Sequence, residues 1–280
     1  MKTVELNTGA RMPALGLGVF QMDDAQVAHA VPAALEIGYR LIDTASRYYN
    51  EKAVGSAIRT AGVPREELFV TTKLWFKDHG YEQTRRALRT SLDNLGLDYL
   101  DLWLVHQPFG DYYAAWRAME ELLAEGRVKA IGVSNFYPDR YLDLATFADV
   151  VPAVDQRETH PFNQQTRLQE LLSDHGTVLQ AWGPLGQGNT ELLTHPVLTS
   201  IAAAHEKSVQ QIMLAWLAQR GVAMVAKSTH HSRLQANLDA LDIALTDSDM
   251  AAIAALDREQ ANAGFTHQDP RMLQLLQRLA

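Results

Sequence analysis

Eight times along this sequence a short run of β-forming apolar residues is followed by a longer segment whose apolar residues recur at helical spacing. The β runs are Leu15–Gly18, Arg40–Thr44, Leu68–Lys73, Tyr99–His106, Val128–Ser134, Ala153–Gln156, Val178–Trp182 and Val222–Ala226. The helical segments cover 24–37, 51–61, 82–95, 113–125, 138–147, 165–174, 208–219 and 231–239. Gly62 and Gly126 close the second and fourth of these, as glycine does just past a helix end. Strands alternating with helices imply parallel pairing through right-handed crossovers. Closing such a sheet into a (β/α)8 TIM barrel is the simplest arrangement that leaves no edge exposed. The 280 residues suit one barrel, for which about 250 are typical, so 1-280 is read as a single domain. Residues 2–13 alternate around Asn7-Thr8-Gly9 and predict a β-hairpin ahead of the barrel. Helical period returns over 246–256, and Asp269-Pro270 predicts a capped helix over 270–279. That last helix would line a pocket, pack on the exterior or mediate a self-contact.

The competing fold is a doubly wound open sheet, which would bring a dinucleotide fingerprint after its first strand. Gly16-Leu17-Gly18 offers two glycines, but Gln21 stands where the third belongs. A nicotinamide cofactor would therefore bind without a Rossmann unit.

Composition narrows the function classes. Cysteine is absent, which excludes disulfides and thiolate metal sites. Lys and Arg number 25 against 33 Asp and Glu, a net charge of −8, so no basic footprint for nucleic acid exists. The N-terminus lacks the apolar core of a signal peptide, and no run approaches the roughly 20 apolar residues of a membrane span. These features predict a soluble, cytoplasmic monomer with no nucleic-acid or membrane partner.

Polar residues gather where the predicted strands end. Asp43, Lys73, His106, Ser134-Asn135, Gln156 and Trp182 end strands two to seven, and Lys227 follows the eighth. In a barrel these C-terminal ends converge on one face, where active sites of this fold are built. An Asp, a Lys and a His near Tyr48 and Tyr49 predict acid–base chemistry on an uncharged polar substrate. A free tyrosine has a pKa near about 10, and an adjacent ammonium would lower it. The set reads as a tyrosine proton donor tuned by Lys73, itself held charged by Asp43. Phe20, Trp75, Phe76, Phe109 and Tyr112 fall in rim loops and are the expected pocket walls.

Several runs resemble the aldo-keto reductase family. Gly38-Tyr39-Arg40-Leu41-Ile42-Asp43-Thr44-Ala45-Ser46-Arg47-Tyr48 resembles its first signature, and that spacing selects Tyr48 over Tyr49. Thr72-Lys73-Leu74-Trp75, Leu97 to His106 and Ile131-Gly132-Val133-Ser134-Asn135-Phe136 resemble its lysine, histidine and serine–asparagine segments. The resemblance spans about residues 4 to 257. It implies NADPH lying extended across the barrel mouth, with Tyr48 as acid and His106 orienting a small-molecule carbonyl. It also implies that Ser134, Asn135 and Gln156 hold the carboxamide and that Trp182 stacks on the nicotinamide, followed by cofactor contacts at Gly183 and Leu185. Trp182-Gly183-Pro184-Leu185-Gly186-Gln187-Gly188 is most similar to the 2,5-diketo-D-gluconate reductase branch, which implies small aldehydes, α-dicarbonyls such as methylglyoxal, or diketo sugar acids as substrates. Lys227-Ser228, Arg233 and Asn237 resemble the family's adenosine phosphate site, at a helix start whose free N–H groups favour an anion.

The pattern has departures. Gln107 follows His106 where the family usually has Trp, which removes an aromatic wall from the substrate site formed with Phe20, Trp75 and His106. His230-His231 would suggest a metal, but neighbouring histidines diverge and no third ligand is evident, so none is expected. His160 in the run from Gln156 is expected to be structural. The rival reading from another class is an NADPH-binding sensor or scaffold with little turnover, a second is a metal-dependent barrel hydrolase.

Overall fold

The computed structural model describes residues 2–262 and 266–278. Strands β1 (Thr3–Glu5) and β2 (Arg11–Pro13) pair antiparallel, turning at Gly9 with φ +80°. β3 (Leu15–Gly18), β4 (Leu41–Asp43), β5 (Phe69–Leu74), β6 (Leu102–Val105), β7 (Ile131–Ser134), β8 (Val154–Glu158), β9 (Val178–Trp182) and β10 (Ala223–Ala226) form a closed parallel barrel, β10 pairing back onto β3. Around it lie α1 (Asp24–Ile37), α2 (Glu51–Ala61), α3 (Tyr81–Leu95), α4 (Tyr112–Ala124), α5 (Pro138–Phe147), α6 (Thr166–Asp174), α9 (Val209–Gln219) and α10 (His231–Asp239), with α7 (Thr190–Leu193) and α8 (Pro196–Ala204) inserted after β9, and α11 (Asp247–Ala254) and α12 (Pro270–Arg278) at the end.

Period-two alternation divides each strand between two cores. The inner face carries Leu41, Phe69, Leu102, Leu104, Ala130, Val154, Ala223 and Val225, and the hairpin closes its lower end with Leu6 and Met12. The outer face and the helices form the larger core, around Trp103, Trp116 and Trp216. Gly16 and Gly132 are where the lumen is tightest. A Cβ on Gly16 would sit 1.7 Å from Leu41 Cδ2, and one on Gly132 2.5 Å from the Val154 carbonyl oxygen.

The structure departs from the expected elements at few points. The strand expected over Tyr99–His106 narrows to β6, with an isolated bridge from Leu100 to Val128. At the break, the Asp101 carboxylate accepts the Val70 N–H at 2.9 Å and pairs with Arg65 at 2.6 Å, so a side chain takes over part of the ladder. Helices α7 and α8 lie where no element was expected. The 270–279 helix is present as α12, with Asp269 Oδ1 accepting the Arg271 N–H at 2.9 Å, while Leu279 lies outside the described residues.

Candidate active site

At the mouth the lumen changes character within one step of each strand. Two residues beyond inward-facing Leu41 comes Asp43, and the same step leads from Thr71 to Lys73 and from Leu104 to His106. It leads likewise from Gly132 to Ser134, from Val154 to Gln156 and from Val225 to Lys227. A single periodicity thus delivers Asp43, Lys73, His106, Ser134 and Gln156 to one place, with Lys227 at its exposed rim.

The nearest contacts are those of Lys73. Its Nζ donates to Asp43 Oδ1 at 2.5 Å and to the Thr44 carbonyl at 2.9 Å, and lies 3.5 Å from Tyr48 Oη. Tyr48 ends the short turn Ser46–Tyr48 after β4, which Ser46 anchors by donating its hydroxyl to the Lys73 carbonyl at 2.9 Å. The Tyr48 ring meets Phe20 at 4.9 Å and the His106 ring at 5.8 Å, the latter edge-on.

Burial and charge act on these groups in opposite senses. Burial pulls the Lys73 ammonium down, but Asp43 and Tyr48 together outweigh it and hold Lys73 above its usual value. Burial pushes the Tyr48 phenol up, Lys73 draws it part of the way back, and Asp43 opposes Lys73. The net direction corrects the expectation of a lowered tyrosine pKa, since desolvation exceeds the effect of the neighbouring ammonium. Burial, with Lys73 behind it, keeps His106 well below its usual value and so neutral at pH 7.

The residues around the other side of the mouth bond mainly to one another. Ser134 Oγ donates to the Gln156 carbonyl at 2.9 Å, and Asn135 Nδ2 donates to Ser134 Oγ and the His106 carbonyl at 3.1 Å each. Trp182 Nε1 donates to Asn135 Oδ1 at 3.0 Å, which leaves the indole half-exposed. Asn135 adopts φ +63°, a conformation asparagine tolerates better than most residues. Gln156 Nε2 donates to Asp43 Oδ2 and to Gln180 Oε1, both at 2.8 Å, linking this network to Lys73. Gly183, at φ +61°, and half-buried Leu185 form the turn that follows Trp182.

A separate cluster follows β10. Lys227 Nζ donates to the Gln21 carbonyl at 3.0 Å, Ser228 is buried and Arg233 is exposed. Helix α10 begins without a side-chain cap. Asn237, within α10, is buried and bonds Tyr39.

Trp75 is buried, with its ring 5.2 Å from His106 and 4.6 Å from Phe76, which meets Phe109 at 6.2 Å. Gln107 is buried too. Among the described residues, four buried polar atoms of this region have no hydrogen-bond partner: Trp75 Nε1, His79 Nε2, His106 Nδ1 and Gln107 Oε1. Tyr112 is a correction: it starts α4 and packs on Phe136 in the outer core, so it is no pocket wall. His160 is buried against Glu158 at 3.1 Å.

Three residues at the mouth escaped the sequence reading. Gln180 carries a polar side chain into the lumen, Arg47 reaches over Trp75, and His267 meets the Trp182 ring at 6.2 Å. The His267 contact brings the segment before α12 to the barrel mouth. Burial, aided by Arg157, pushes His267 down to about 4.

A buried lysine–aspartate pair beside a tyrosine and a neutral histidine, at the mouth of a parallel barrel, defines a barrel oxidoreductase of the carbonyl-reducing class. Residues 13–258 match the Aldo/keto reductase family, and the chain belongs to that family. It is 45% identical over 268 residues to a morphine 6-dehydrogenase of Pseudomonas putida, covering 91% of this chain and 90% of that one. It is also 45% identical over 260 residues to a glyoxal reductase of Bacillus subtilis (strain 168), covering 92% and 94%. The crystal structure of a Bombyx mori aldo-keto reductase in complex with NADP superposes with a TM-score of 0.89 at 36% identity, covering 93% of this chain and 94% of that one. No helix among the described residues is long and apolar enough to cross a membrane.

Proposed function

We propose that this protein uses NADPH to reduce a small aldehyde, α-dicarbonyl or diketo sugar acid to the alcohol, with Tyr48 as the proton donor. The observation that carries the reading is the Asp43–Lys73–Tyr48 contact beside His106. A phenol held protonated by burial is competent to donate at neutral pH, and Lys73 stands 3.5 Å away to stabilise the phenolate left behind. Asp43 holds Lys73 charged and in place. Neutral His106 donates a hydrogen bond to the carbonyl oxygen and orients it, an electrostatic contribution worth a few kcal/mol.

The residues present fit the cofactor. Among the described residues Lys227 and Arg233 form no ion pair, and α10 offers uncapped N–H groups beside them. Together they would hold the 2′-phosphate, while the half-exposed Trp182 indole would take the nicotinamide face. Ser134, Asn135 and Gln156 would hold the carboxamide, Gly183 and Leu185 the chain beyond it, and Asn237 the adenine side. NADPH, when bound, supplies the hydride for the carbonyl carbon. The NADP-bound relative and the relative named a glyoxal reductase support the cofactor and the substrate range. Phe20, Trp75 and Gln107 complete the substrate site.

The test is a panel of methylglyoxal, aromatic aldehydes, diketogluconates and keto-steroids, followed by NADPH absorbance. Turnover of at least one small carbonyl, faster with NADPH than with NADH, is expected. Tight NADPH binding without turnover of any of them would replace this reading with a cofactor-binding sensor or scaffold.

A further inference from the structure

Arg47 has no part in the chemistry above. It precedes Tyr48 in a turn that Ser46 fixes to β5, so its backbone is as firmly placed as that of Tyr48. Its guanidinium carbon lies 4.8 Å from the Tyr49 ring centroid and 5.8 Å from that of Trp75. Stacking on rings in this way leaves the N–H groups at the guanidinium edge free to bond an anion. Among the described residues Arg47 makes no ion pair and no hydrogen bond, in a chain with 33 acidic residues. Lys73, the other cation of this region, is already matched by Asp43.

The place of Arg47 says which anion it meets. It follows β4, and Trp75 follows β5, on the opposite side of the closed barrel from β8 and β9. Trp182 and Gln156 are therefore across the mouth from it. Trp75 joins Arg47 to His106, and its own Nε1–H is buried without an acceptor. Arg47 is also the smallest of the charges that depress His106, after burial, Lys73, His267 and His79. The β4–β5 side of the mouth, beside Tyr48 and His106, is therefore bounded by the Trp75 ring with the Arg47 guanidinium over it.

We infer that Arg47 is a specificity-determining residue that binds an anionic group, foremost a carboxylate, on the carbonyl substrate. Preferred substrates are then keto acids and aldehyde acids. Arginine and a carboxylate form charge-assisted bonds, the strong class, and often two in parallel. The inference rests on the reductase reading for turnover, but its binding half stands on the charge alone.

Two measurements separate these. Reduction of 4-carboxybenzaldehyde is compared with that of its neutral methyl ester, methyl 4-formylbenzoate, in the wild type, Arg47→Met and Arg47→Lys. Arg47→Met is expected to lower kcat/KM for the acid at least about tenfold, mainly through KM, and to change the ester by less than about twofold. Arg47→Lys should recover part of the loss. Equal losses on both substrates, or none on either, would overturn the inference and leave the reductase reading intact. Calorimetry then follows 4-methylbenzoate, which cannot react, binding to the protein with NADP+ present. Affinity that falls at least about tenfold in Arg47→Met supports the inference even if the wild type turns over neither aldehyde, an outcome that leaves the reductase reading to be decided by the substrate panel above. Unchanged affinity overturns the inference.

Discussion

The two ends of this barrel are built from the same strands and obey opposite rules. The floor, where the hairpin inserts Leu6 and Met12 among Leu41, Phe69 and Leu102, is lined by apolar side chains, and among the described residues the one polar contact there is Gln180 Nε2 donating to Met12 Sδ at 3.6 Å. The mouth, a few residues along those strands, buries a lysine and an aspartate beside a half-buried neutral histidine, with several polar atoms that have no partner among the described residues. Burying polar groups costs stability unless they are paired, so the mouth spends part of what the floor and outer core contribute. The contrast teaches where to look for function: activity belongs to the end whose burial is unfavourable, and stability to the other.

The largest effect should come from unbalancing the mouth. Asp43→Asn leaves the Lys73 ammonium buried without its counter-charge, at a cost of about 3–5 kcal/mol. Denaturant unfolding checks this, and a smaller double-mutant penalty for Asp43→Asn with Lys73→Met would confirm that the unpaired charge is the cause. A loss under about 1 kcal/mol would mean that the mouth is more hydrated than its burial implies. At the floor, Met12→Ala should cost about 2–5 kcal/mol by opening a cavity. Its kcat should match that of the wild type when assayed well below the melting transition. A loss of kcat would break the division between the ends.

Asp155 sharpens the comparison, because it is a buried carboxylate away from the mouth. It lies on the outer face of β8, and burial pushes it from 3.8 up to about 7, against the pull of Arg157 and of the Phe136 backbone. A carboxylate with a raised folded pKa favours the folded state below its unfolded value and loses that advantage as pH rises toward the folded one. Stability from this group is therefore lost between about pH 4 and pH 7. Asp155→Asn should raise Tm at pH 8 by about 2–4 °C or more, with the gain shrinking toward pH 5. A gain independent of pH would show that the carboxylate is solvated. The smallest effect belongs to Arg233→Ala, expected to weaken NADPH about tenfold, or about 1.4 kcal/mol, and to leave NADH nearly unchanged. Fluorescence titration with both cofactors distinguishes this from equal weakening, which would remove Arg233 from the 2′-phosphate.

Much of this was legible in the sequence because period and punctuation agree. Asp24–Ile37 ends at Gly38 in a left-handed conformation, and Pro138–Phe147 opens on proline, so both helices lie where their signals put them. The inward residues at the mouth follow from alternation on strands whose ends were visible. Helices α7 and α8 were equally marked, by the cap at Asn189 and by Pro196 in the first turn, but α7 is a single turn and both stand outside the strand–helix alternation. Tyr112 was misjudged because a loop–helix boundary one residue earlier turns a rim aromatic into a core one. The sign of the Tyr48 shift was not legible, since composition shows a neighbouring lysine but not the extent of desolvation. Arg47 and His267 were missed for a related reason: only the fold brings them to Trp75 and Trp182.

The central claim is that Tyr48 gives the proton at this mouth, and Tyr48→Phe tests it most directly, because it removes the hydroxyl and keeps the ring against Phe20 and His106. Steady-state reduction of methylglyoxal should fall about 10²–10⁴-fold in kcat, the usual worth of a general acid, with NADPH affinity unchanged by fluorescence titration. Retention of more than about a tenth of wild-type kcat would contradict the account and turn attention to Tyr49.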